Sequence, residues 1–479
     1  MSPPPLADLL PADFLINAAD EIRIRQNLAL VALGKRPADR ALRVGRLFDV
    51  HGRTWHDDQE IVMAGRRIAW VGPAGAYPGD VGAQIDARAL SAVPGFGEVH
   101  KHIESSHLTP EYEAALVMPH GNTWTCEASH EFSNVDGPHN LEFWLTARRA
   151  GSPMKIFPLP GSAVPPTAYE WGGGHFGYDE QQGFLKQQLM VAGLDEVMDW
   201  PAVWNPDNPS YDRLWGMIRA TLEQRGVVEG HAAGMRGIDD INAFAAAGMA
   251  SDHEAWTTGE VQDKLRRGLF IELRPHSAPD IIKGLLAAGQ ADWSNFALCT
   301  DDRSCSDTVR IGATDHNVRV AINAGLAPEI ALQLVTINPA RHIPLTPWVG
   351  AIAPGRFADI VLLDEVQTLS IAEVWADGEQ IPAGAQFLKP VPAICWPDWA
   401  TRTIKIDRDM TAQDFEIAAA PGRDTMQAAV LRPFHWADDF LTMDLAVRDG
   451  AVQRDPSRNV TKFDIVDRFS GAGKTSKMF

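Results

Sequence analysis

Two histidines separated by a single residue, His100 and His102, end a short apolar run that begins at Val93. In a β-strand, residues i and i+2 point to the same face, so both imidazoles are expected side by side. Neutral imidazole is a ligand for zinc and related divalent ions. The pair alone fits an ordinary hydrogen-bonded histidine pair equally well, so the interpretation depends on the residues downstream.

Four more residues with metal-binding side chains stand at the ends of later apolar runs: Glu196, His231, His253 and Asp301. We predict two divalent ions, one held by His100, His102 and Asp301 and the other by His231 and His253. Glu196 is the candidate carboxylate between them. Histidine and carboxylate sites accept Zn, Mn or Fe. Such a pair of ions activates water, and Asp301 is then predicted to carry the proton as general base and afterwards as acid.

The elements that hold these residues alternate between apolar strand-like runs and amphipathic helical patterns. Helical patterns cover 211–224, 238–247, 257–267 and 278–288. Buried strands alternating with helices indicate parallel βαβ units, and eight of them predict a (β/α)8 barrel over 93–350 with its chemistry at the carboxyl ends of the strands. The eight candidate strands end near His102, Glu127, Pro160, Glu196, His231, His253, Arg274 and Asp301.

Three further regions flank the predicted α/β barrel. Residues 1–40 indicate an irregular lead followed by a helix. Short alternating strands in 41–92 and again in 351–395 predict one small β-sandwich domain built from both sides of the barrel. Residues 396–479 predict a β-rich C-terminal domain, which we expect to be shortened.

Composition narrows the range of partners and compartments. The chain has 479 residues, 45% of them hydrophobic, and a formal net charge of −19. This charge argues against nucleic acid or an anionic membrane as a partner, and no apolar run reaches the ~18 residues of a membrane span. Four cysteines without a pairing pattern and an N-terminus without signal-peptide features predict a cytoplasmic protein. The expected partner is a small molecule, and a homodimer is one open assembly state.

Several motifs together resemble the amidohydrolase superfamily and, within it, the adenine deaminases. They are Val93-Pro-Gly-Phe, His100-Lys-His-Ile-Glu-Ser-Ser, Met118-Pro-His-Gly-Asn-Thr, Ser129-His-Glu-Phe-Ser-Asn-Val, Gly193-Leu-Asp-Glu-Val-Met, Gly230-His-Ala-Ala-Gly, Ser251-Asp-His-Glu, Leu298-Cys-Thr-Asp-Asp-Arg and Asn338-Pro-Ala-Arg. The resemblance implies that all six residues above bind metal, with Glu196 bridging. It also implies that His130 and Glu131 take part in catalysis beside Asp301 and Glu196, and that Glu104 contacts substrate.

The sequence departs from this family at several positions. Lys101 stands where an apolar residue is usual and points away from the lumen, where it needs a buried acidic partner. Glu98 replaces an aspartate, and the family's Arg-Glu-Gly-Ser is Arg-Pro-His-Ser at 274–277. The loop at 165–175, which contains Trp171, is rich in aromatic residues and glycine. We predict that Arg274, His276 and Trp171 meet the substrate.

These observations predict a metal-dependent hydrolase that acts on a C–N bond of a nitrogen heterocycle, most simply adenine plus water giving hypoxanthine plus ammonia. Because loops at this barrel face set specificity, the altered loops raise a second hypothesis, a changed and anionic ring. The alternatives are a pterin, an imidazolidinone or a thiohydantoin, whose substituent is displaced or whose ring is opened. From a different class, a non-catalytic metal-binding protein is a third reading.

Overall fold

The computed structural model describes residues 18–139, 143–145, 148, 151–187, 191, 193–235, 237–382, 398–432 and 439–479. The predicted lead over 1–17 and the 383–395 part of the predicted sandwich domain lie outside these residues. By its internal contacts the chain divides into two units. The first contains 1–133, 137–168 and 175–395, and the second contains 134–136, 169–174 and 396–479. None of the described helices combines the length and the apolarity needed to cross a bilayer.

The described strands alternate with helices through the middle of the chain and dominate both ends. The strands are β1 Ala38–Asp49, β2 Thr54–Ala64, β3 Arg67–Pro73, β4 Val81–Pro94, β5 Phe96–Lys101, β6 Asn122–Ala128, β7 Lys155–Leu159, β8 Gly193–Val197, β9 Val227–Gly230, β10 Ser251–Asp252, β11 Phe270–Leu273, β12 Phe296–Leu298, β13 Ile360–Glu365, β14 Ser370–Ala376, β15 Glu379–Ile381, β16 Thr425–Arg432, β17 Asp439–Arg448, β18 Ala451–Val452, β19 Phe463–Val466 and β20 Thr475–Met478.

Helices precede β1, separate the strands between β5 and β13, and include one short helix in the second unit. They are α1 Ala18–Ala32, α2 Pro110–Val117, α3 His130–Asp136, α4 Tyr178–Gln187, α5 Trp200–Trp204, α6 Tyr211–Glu223, α7 Ile238–Ala246, α8 Thr258–Leu265, α9 Ala278–Ala287, α10 Cys305–Ile311, α11 Thr314–Asn323, α12 Pro328–Gln333, α13 Ile337–His342 and α14 Asp398–Thr401. The four helices predicted between 211 and 288 are confirmed as α6, α7, α8 and α9, with ends that differ by no more than two residues.

Eight parallel strands, β5 to β12, form the centre of the first unit. They pair as β5-β6-β7, β8-β9 and β10-β11-β12, and nearly all of their residues are buried. Backbone contacts join these groups in a ring: Asp195 N to Pro160 O at 3.0 Å, Ala250 N to Val228 O at 2.8 Å, and a parallel bridge between Lys101 and Asp301. The strands are apolar on both faces because one face lines the barrel interior and the other packs against the helices. The predicted α/β barrel is confirmed.

A seven-stranded sheet in the same unit uses sequence from both sides of the barrel. Its order is β15-β14-β13-β4-β1-β2-β3, in which β1 and β4 are parallel and the other pairs are antiparallel. One strand, β4, runs directly into the barrel, since β5 begins two residues after β4 ends. The sandwich form of this region stays a prediction.

The second unit is β-rich in its C-terminal part. Strands β16, β17 and β18 form one antiparallel sheet, and β19 pairs antiparallel with β20. A small apolar core, which includes Val430, Leu445 and Phe479, packs between these strands.

Candidate metal centre

The barrel brings the six predicted ligands to the carboxyl ends of its strands. His100 lies in β5 and His102 one residue beyond it; Glu196 lies in β8; His231 and His253 directly follow β9 and β10; and Asp301 comes three residues after β12. Five of the six are buried, and the side chain of His231 is 17% exposed. Residues up to 201 positions apart in the sequence therefore share one small volume, because the barrel closes β12 against β5.

Glu196 lies between the two predicted ligand groups, and its two carboxylate oxygens face different histidines. Oε1 lies 3.3 Å from His102 Nε2 and 4.0 Å from His100 Nε2. Oε2 lies 2.6 Å from His231 Nδ1 and 3.1 Å from His253 Nε2. The carboxylate thus has one oxygen for each pair of imidazoles, which is the arrangement that a bridging ligand needs.

Asp301 also divides its oxygens between two neighbours. Oδ1 lies 3.3 Å from His102 Nε2 and 3.6 Å from His100 Nε2, whereas Oδ2 lies 2.6 Å from Arg274 Nη1. Arg274 also pairs with the buried Glu254. The backbone of Asp301 has φ +54°, a left-handed conformation that costs a non-glycine residue about 1–3 kcal/mol. Pairing of Asp301 N with His100 O at 3.2 Å helps to hold it there.

The charges in this volume stay on the carboxylates. Burial alone raises the pKa of Glu196, but His231 and His253 lower that pKa well below its usual range. Burial likewise opposes ionisation of Asp301, but the nearby His100, with His253 and Arg274, lowers its pKa. Two buried, ionised carboxylates beside four imidazoles form a donor set that attracts cations.

The donor atoms fit divalent metal ions. Ligand atoms of His100, His102 and Asp301 lie within 4.8 Å of one another, and so do those of Glu196, His231 and His253. Nε2 of His100 is buried and has no hydrogen-bond partner among the residues that the structure describes. A buried nitrogen lone pair without a partner is unfavourable in a folded protein, and a metal ion satisfies it.

His130 and Glu131 lie beside the ligand group at the start of α3. Glu131 Oε2 lies 3.1 Å from His102 Nδ1, and Glu131 Oε1 lies 3.4 Å from His130 Nε2. His130 Nδ1 lies 3.0 Å from Oδ2 of the buried Asp195. Burial lowers the pKa of His130, but Glu131 and Asp195 outweigh it and raise that pKa to about 9.

Glu104 follows the first ligand pair in a 3-10 turn that spans Ile103–Ser106. Its Oε1 accepts a hydrogen bond from Phe132 N at 3.3 Å, and the side chain is half-buried. Burial, and after it the charge of Glu131, raise the pKa of Glu104, although its contact with Glu127 opposes the rise. Glu104 therefore lies near Glu131 at the start of α3.

Arg274 and His276 follow β11, and the structure gives them different surroundings. The Arg274 side chain is buried against Asp301 and Glu254, whereas His276 is exposed and its ring lies 4.5 Å from that of Trp256. Burial lowers the pKa of His276 to about 4, with Arg274 contributing. Trp171, the remaining predicted substrate contact, is 40% exposed and belongs to the second unit.

The structure also identifies residues that the sequence argument missed. Glu254 and Trp256 follow the ligand His253 within three residues, which was a usable signal because the same loop carries all of them. Asp195 precedes Glu196, and Glu272 precedes Arg274 by two positions. No local pattern marks Asp195 or Glu272 as a neighbour of a histidine on another strand.

Two departures from the family pattern have clear partners. Lys101 Nζ lies 2.5 Å from Oε1 of Glu113, which is fully buried, so the predicted acidic partner is confirmed. Glu98 accepts hydrogen bonds from Thr300 N at 2.7 Å, Thr300 Oγ1 at 2.9 Å and Thr314 Oγ1 at 3.0 Å. These bonds fix the segment that leads into Asp301.

Comparison with known proteins agrees with this fold. Residues 220–382 match the model of the amidohydrolase family. An adenosine deaminase structure from Xanthomonas campestris with bound zinc has a TM-score of 0.52 at 15% identity, over 77% of this chain and 99% of that one. At that identity the likeness concerns the fold. The barrel and the family match are those of an amidohydrolase.

Sequence similarity is more specific. Adenine deaminase 2 of Jannaschia sp. (strain CCS1) is 74% identical over 98% of this chain and 75% of its own length. The adenine deaminase of Moorella thermoacetica is 32% identical over 94% of this chain and 75% of its own length. The chain belongs to the adenine deaminase family of amidohydrolases, as its motifs predicted.

Proposed function

We propose that this protein hydrolyses adenine to hypoxanthine and ammonia with the help of two divalent metal ions. The observation that carries the proposal is Glu196, whose two oxygens each face two of the four imidazoles. The names of relatives at 74% and 32% identity support adenine as the substrate. Hydrolysis breaks the C–N bond to the amino group and forms a C–O bond in its place.

In this proposal the six strand-end residues hold the two ions. His100, His102 and Asp301 hold one, His231 and His253 hold the other, and Glu196 lies between them. Divalent ions in such a site, whether Zn, Mn or Fe, supply Lewis-acid activation of water at neutral pH. The protein keeps the ligands in place by burying them at the ends of rigid strands.

Asp301 moves the proton in the proposed reaction. Its carboxylate accepts a proton from the attacking water and then delivers it to the amino nitrogen, which leaves as ammonia. Arg274 Nη1 lies 2.6 Å from Oδ2 of Asp301. The carboxylate therefore keeps a fixed orientation, in which Oδ1 faces His100 and His102. The lowered pKa of Asp301 keeps its carboxylate ionised, which is the form that can accept a proton.

Substrate contacts are proposed on the open side of the ligand group. Glu131 and His130 lie next to His102 and are placed to exchange protons or hydrogen bonds with ring nitrogens, and Glu104 lies beside them. His276 and Trp256 form an exposed ring pair after β11 and β10. Flat rings of this kind stack on heterocycles. Arg274 remains a proposed substrate contact, and the contact of Trp171 stays a prediction from the sequence.

A changed, anionic ring is the second candidate, and the 274–277 departure favours it. Exposed His276 two residues from Arg274 offers hydrogen bonding to a polar substituent that adenine lacks. A pterin, an imidazolidinone or a thiohydantoin would use the same metal ligands. The two candidates differ in substrate and share the hydrolytic chemistry.

Ammonia release from adenine by metal-reconstituted protein tests the proposal. We expect kcat/KM in the ordinary enzyme range of ~10⁴–10⁸ M⁻¹s⁻¹, abolition by a chelator, and weakened binding of both ions in Glu196→Gln. Glu60→Gln is the matched control, because Glu60 is a buried glutamate of the flanking sheet that accepts from Gln84 at 2.7 Å. If metal-loaded protein deaminates another heterocycle and leaves adenine untouched, the adenine assignment is wrong and the hydrolase class stands.

The remaining proposals concern organisation and compartment. We propose 1–40, 41–92 with 351–395, 93–350 and 396–479 as the domains. The described cysteines Cys126, Cys299 and Cys305 are free thiols, which supports a cytoplasmic location. Homodimerisation is proposed as the assembly state to test by light scattering.

A further inference from the structure

A buried glutamate, Glu272, lies inside the barrel behind the predicted ligands. It belongs to β11, and its side chain is fully buried. Among the residues that the structure describes, no amide, hydroxyl or cationic donor bonds to its carboxyl oxygens, although a second buried carboxyl group, that of Glu229, lies beside it. Buried carboxyl groups are nearly always hydrogen-bonded, so this one calls for an explanation.

Glu272 and Glu196 lie at opposite edges of the His253 ring. Its Oε2 lies 4.0 Å from His253 Nδ1, while His253 Nε2 lies 3.1 Å from Glu196. The His253 ring stacks on that of His100, with centroids 4.0 Å apart and planes 19° apart. One ligand atom of each of His100, His253 and Glu272 lies within 4.8 Å of the other two. Glu272 therefore lies beside two predicted ligands, His100 and His253, whose rings stack on each other.

The neighbouring buried glutamate, Glu229, has different surroundings. His342 Nε2 lies 2.9 Å and 3.0 Å from its two oxygens, and Ser251 Oγ donates to Oε2 at 2.6 Å. Glu272 Oε1 is 4.0 Å from the same His342 nitrogen. Protein donors therefore satisfy the carboxylate of Glu229, whereas that of Glu272 faces His253. The two glutamates differ in their surroundings.

We propose that Glu272 is a positioning residue that accepts the Nδ1–H of His253, directly or through one water, and so presents Nε2 of that ring to metal. A contact of 4.0 Å leaves room for either form, since a direct bond is about 2.9 Å and longer polar contacts are often bridged by water. A partner on one ring nitrogen fixes the tautomer and orientation of the other. The inference rests on the proposed metal role of His253.

Metal affinity measured by chelator competition on the full-length protein tests this role. Loss of an outer hydrogen-bond partner of a ligand histidine typically weakens metal binding by roughly 10–100-fold. We expect that loss for Glu272→Leu and a smaller one for Glu272→Gln, whose amide oxygen still accepts a hydrogen bond. Glu60→Gln is the matched control, as it changes a buried glutamate of the flanking sheet that accepts from Gln84, and we expect its metal affinity to stay near that of the wild type.

Urea unfolding of the metal-free proteins separates positioning from packing, since a purely structural Glu272 lowers stability without changing the affinity of the folded protein. The inference is overturned if folded Glu272→Gln and Glu272→Leu bind metal as tightly as the wild type, or if the control Glu60→Gln loses as much affinity. If Glu272→Leu does not fold, the isosteric Glu272→Gln decides, and an unchanged affinity overturns the proposal. A wild-type protein that binds no metal overturns the proposed function and this inference together, whereas wild-type binding with unaffected variants overturns this inference alone.

Discussion

Two clusters of buried charge in the first unit are built on opposite principles. Behind the barrel, Lys155 Nζ lies 2.5 Å from Asp359 Oδ1 and 3.0 Å from Asp377 Oδ1, and Arg148 Nη2 donates to Asp377 Oδ1 at 3.2 Å. Two cations there meet two carboxylates. At the strand ends, Glu196 and Asp301 meet imidazoles, which are neutral when they act as ligands, and Asp301 also pairs with Arg274.

The difference separates a structural cluster from a functional one. In the Lys155 cluster, defined by Arg148, Lys155, Asp359 and Asp377, the protein supplies every counter-charge. In the metal centre, Nε2 of His100 keeps an unused lone pair and two carboxylates face the same volume. Burial of charge is tolerated where partners are present, and the second cluster is suited to take such partners from outside the chain. The experiments below test the two clusters separately.

The largest effect is expected from His102→Ala. Because two imidazoles on one strand face cannot be replaced by neighbours, this change should remove at least one equivalent of bound metal and nearly all turnover. Elemental analysis beside an ammonia assay measures both. Lys155→Met serves as the control and should keep the full metal content when folded. Wild-type metal content in His102→Ala would show that the ligand assignment is wrong.

Asp301→Asn should lower kcat by roughly 10²–10⁴, the usual contribution of general acid–base catalysis. The amide keeps an oxygen toward the ligand histidines but cannot accept the proton, so most of the metal should remain bound. Steady-state kinetics with metal analysis on the same sample checks this. Turnover of Asp301→Asn at the wild-type rate would rule out the proton transfer proposed for this residue.

Lys155→Met should destabilise the fold by about 3–5 kcal/mol, because it leaves buried carboxylates without one of their two cations. Urea denaturation gives the change, and KM of the folded fraction should match the wild type. Arg219→Met is the control, since Arg219 forms an exposed ion pair with Glu223 of the kind that contributes ~1 kcal/mol or less. A loss in Lys155→Met no greater than in the control would contradict the structural role.

Acid should weaken the Lys155 cluster in a defined pH window. Burial raises the pKa of Asp377, but Arg148 and Lys155 outweigh it and lower that pKa from 3.8 to about 2. A depressed carboxyl pKa stabilises the folded state above about pH 4, and this contribution, roughly 2–3 kcal/mol, is lost as the pH falls toward 2. The stability gap between the wild type and Asp377→Asn should therefore narrow over that window in urea titrations. A difference in unfolding free energy that stays constant from pH 5 to pH 2 would exclude a stabilising contribution from ionised Asp377.

The smallest effect is expected at the rim of the metal centre. Trp256→Ala removes a ring that contacts His276, and loss of one base-stacking contact costs about 1–3 kcal/mol. We expect a rise of roughly fivefold or more in KM for adenine, with metal content and kcat little changed. Trp204→Ala, which removes another exposed tryptophan, provides the reference. Equal KM values for the two variants would remove Trp256 from the substrate site.

Sequence spacing alone determined the identity and order of the strands that carry the chemistry. Alternation of buried runs with amphipathic helices predicted the barrel, and helix Tyr211–Glu223 agrees with the expected 211–224 to one residue. Periodicity is a local property, so residues close in the chain suffice to reveal it. The need of Lys101 for an acidic partner was also readable, since a buried ammonium must be paired.

Only the tertiary structure decided which atoms meet. Three contacts depend on how separate strands close into a ring. They are the contacts of Glu196 with two histidine pairs, the ion pair of Arg274 with Asp301, and the position of Glu272 next to His253. Glu272 and Glu229 are both single acids in short apolar strands, FIEL and VVEG, and nothing in those letters tells them apart. Their roles differ because His342, 70 residues beyond Glu272 in the sequence, reaches one and not the other. A contact between distant residues is set by packing, and packing is a property of the whole fold.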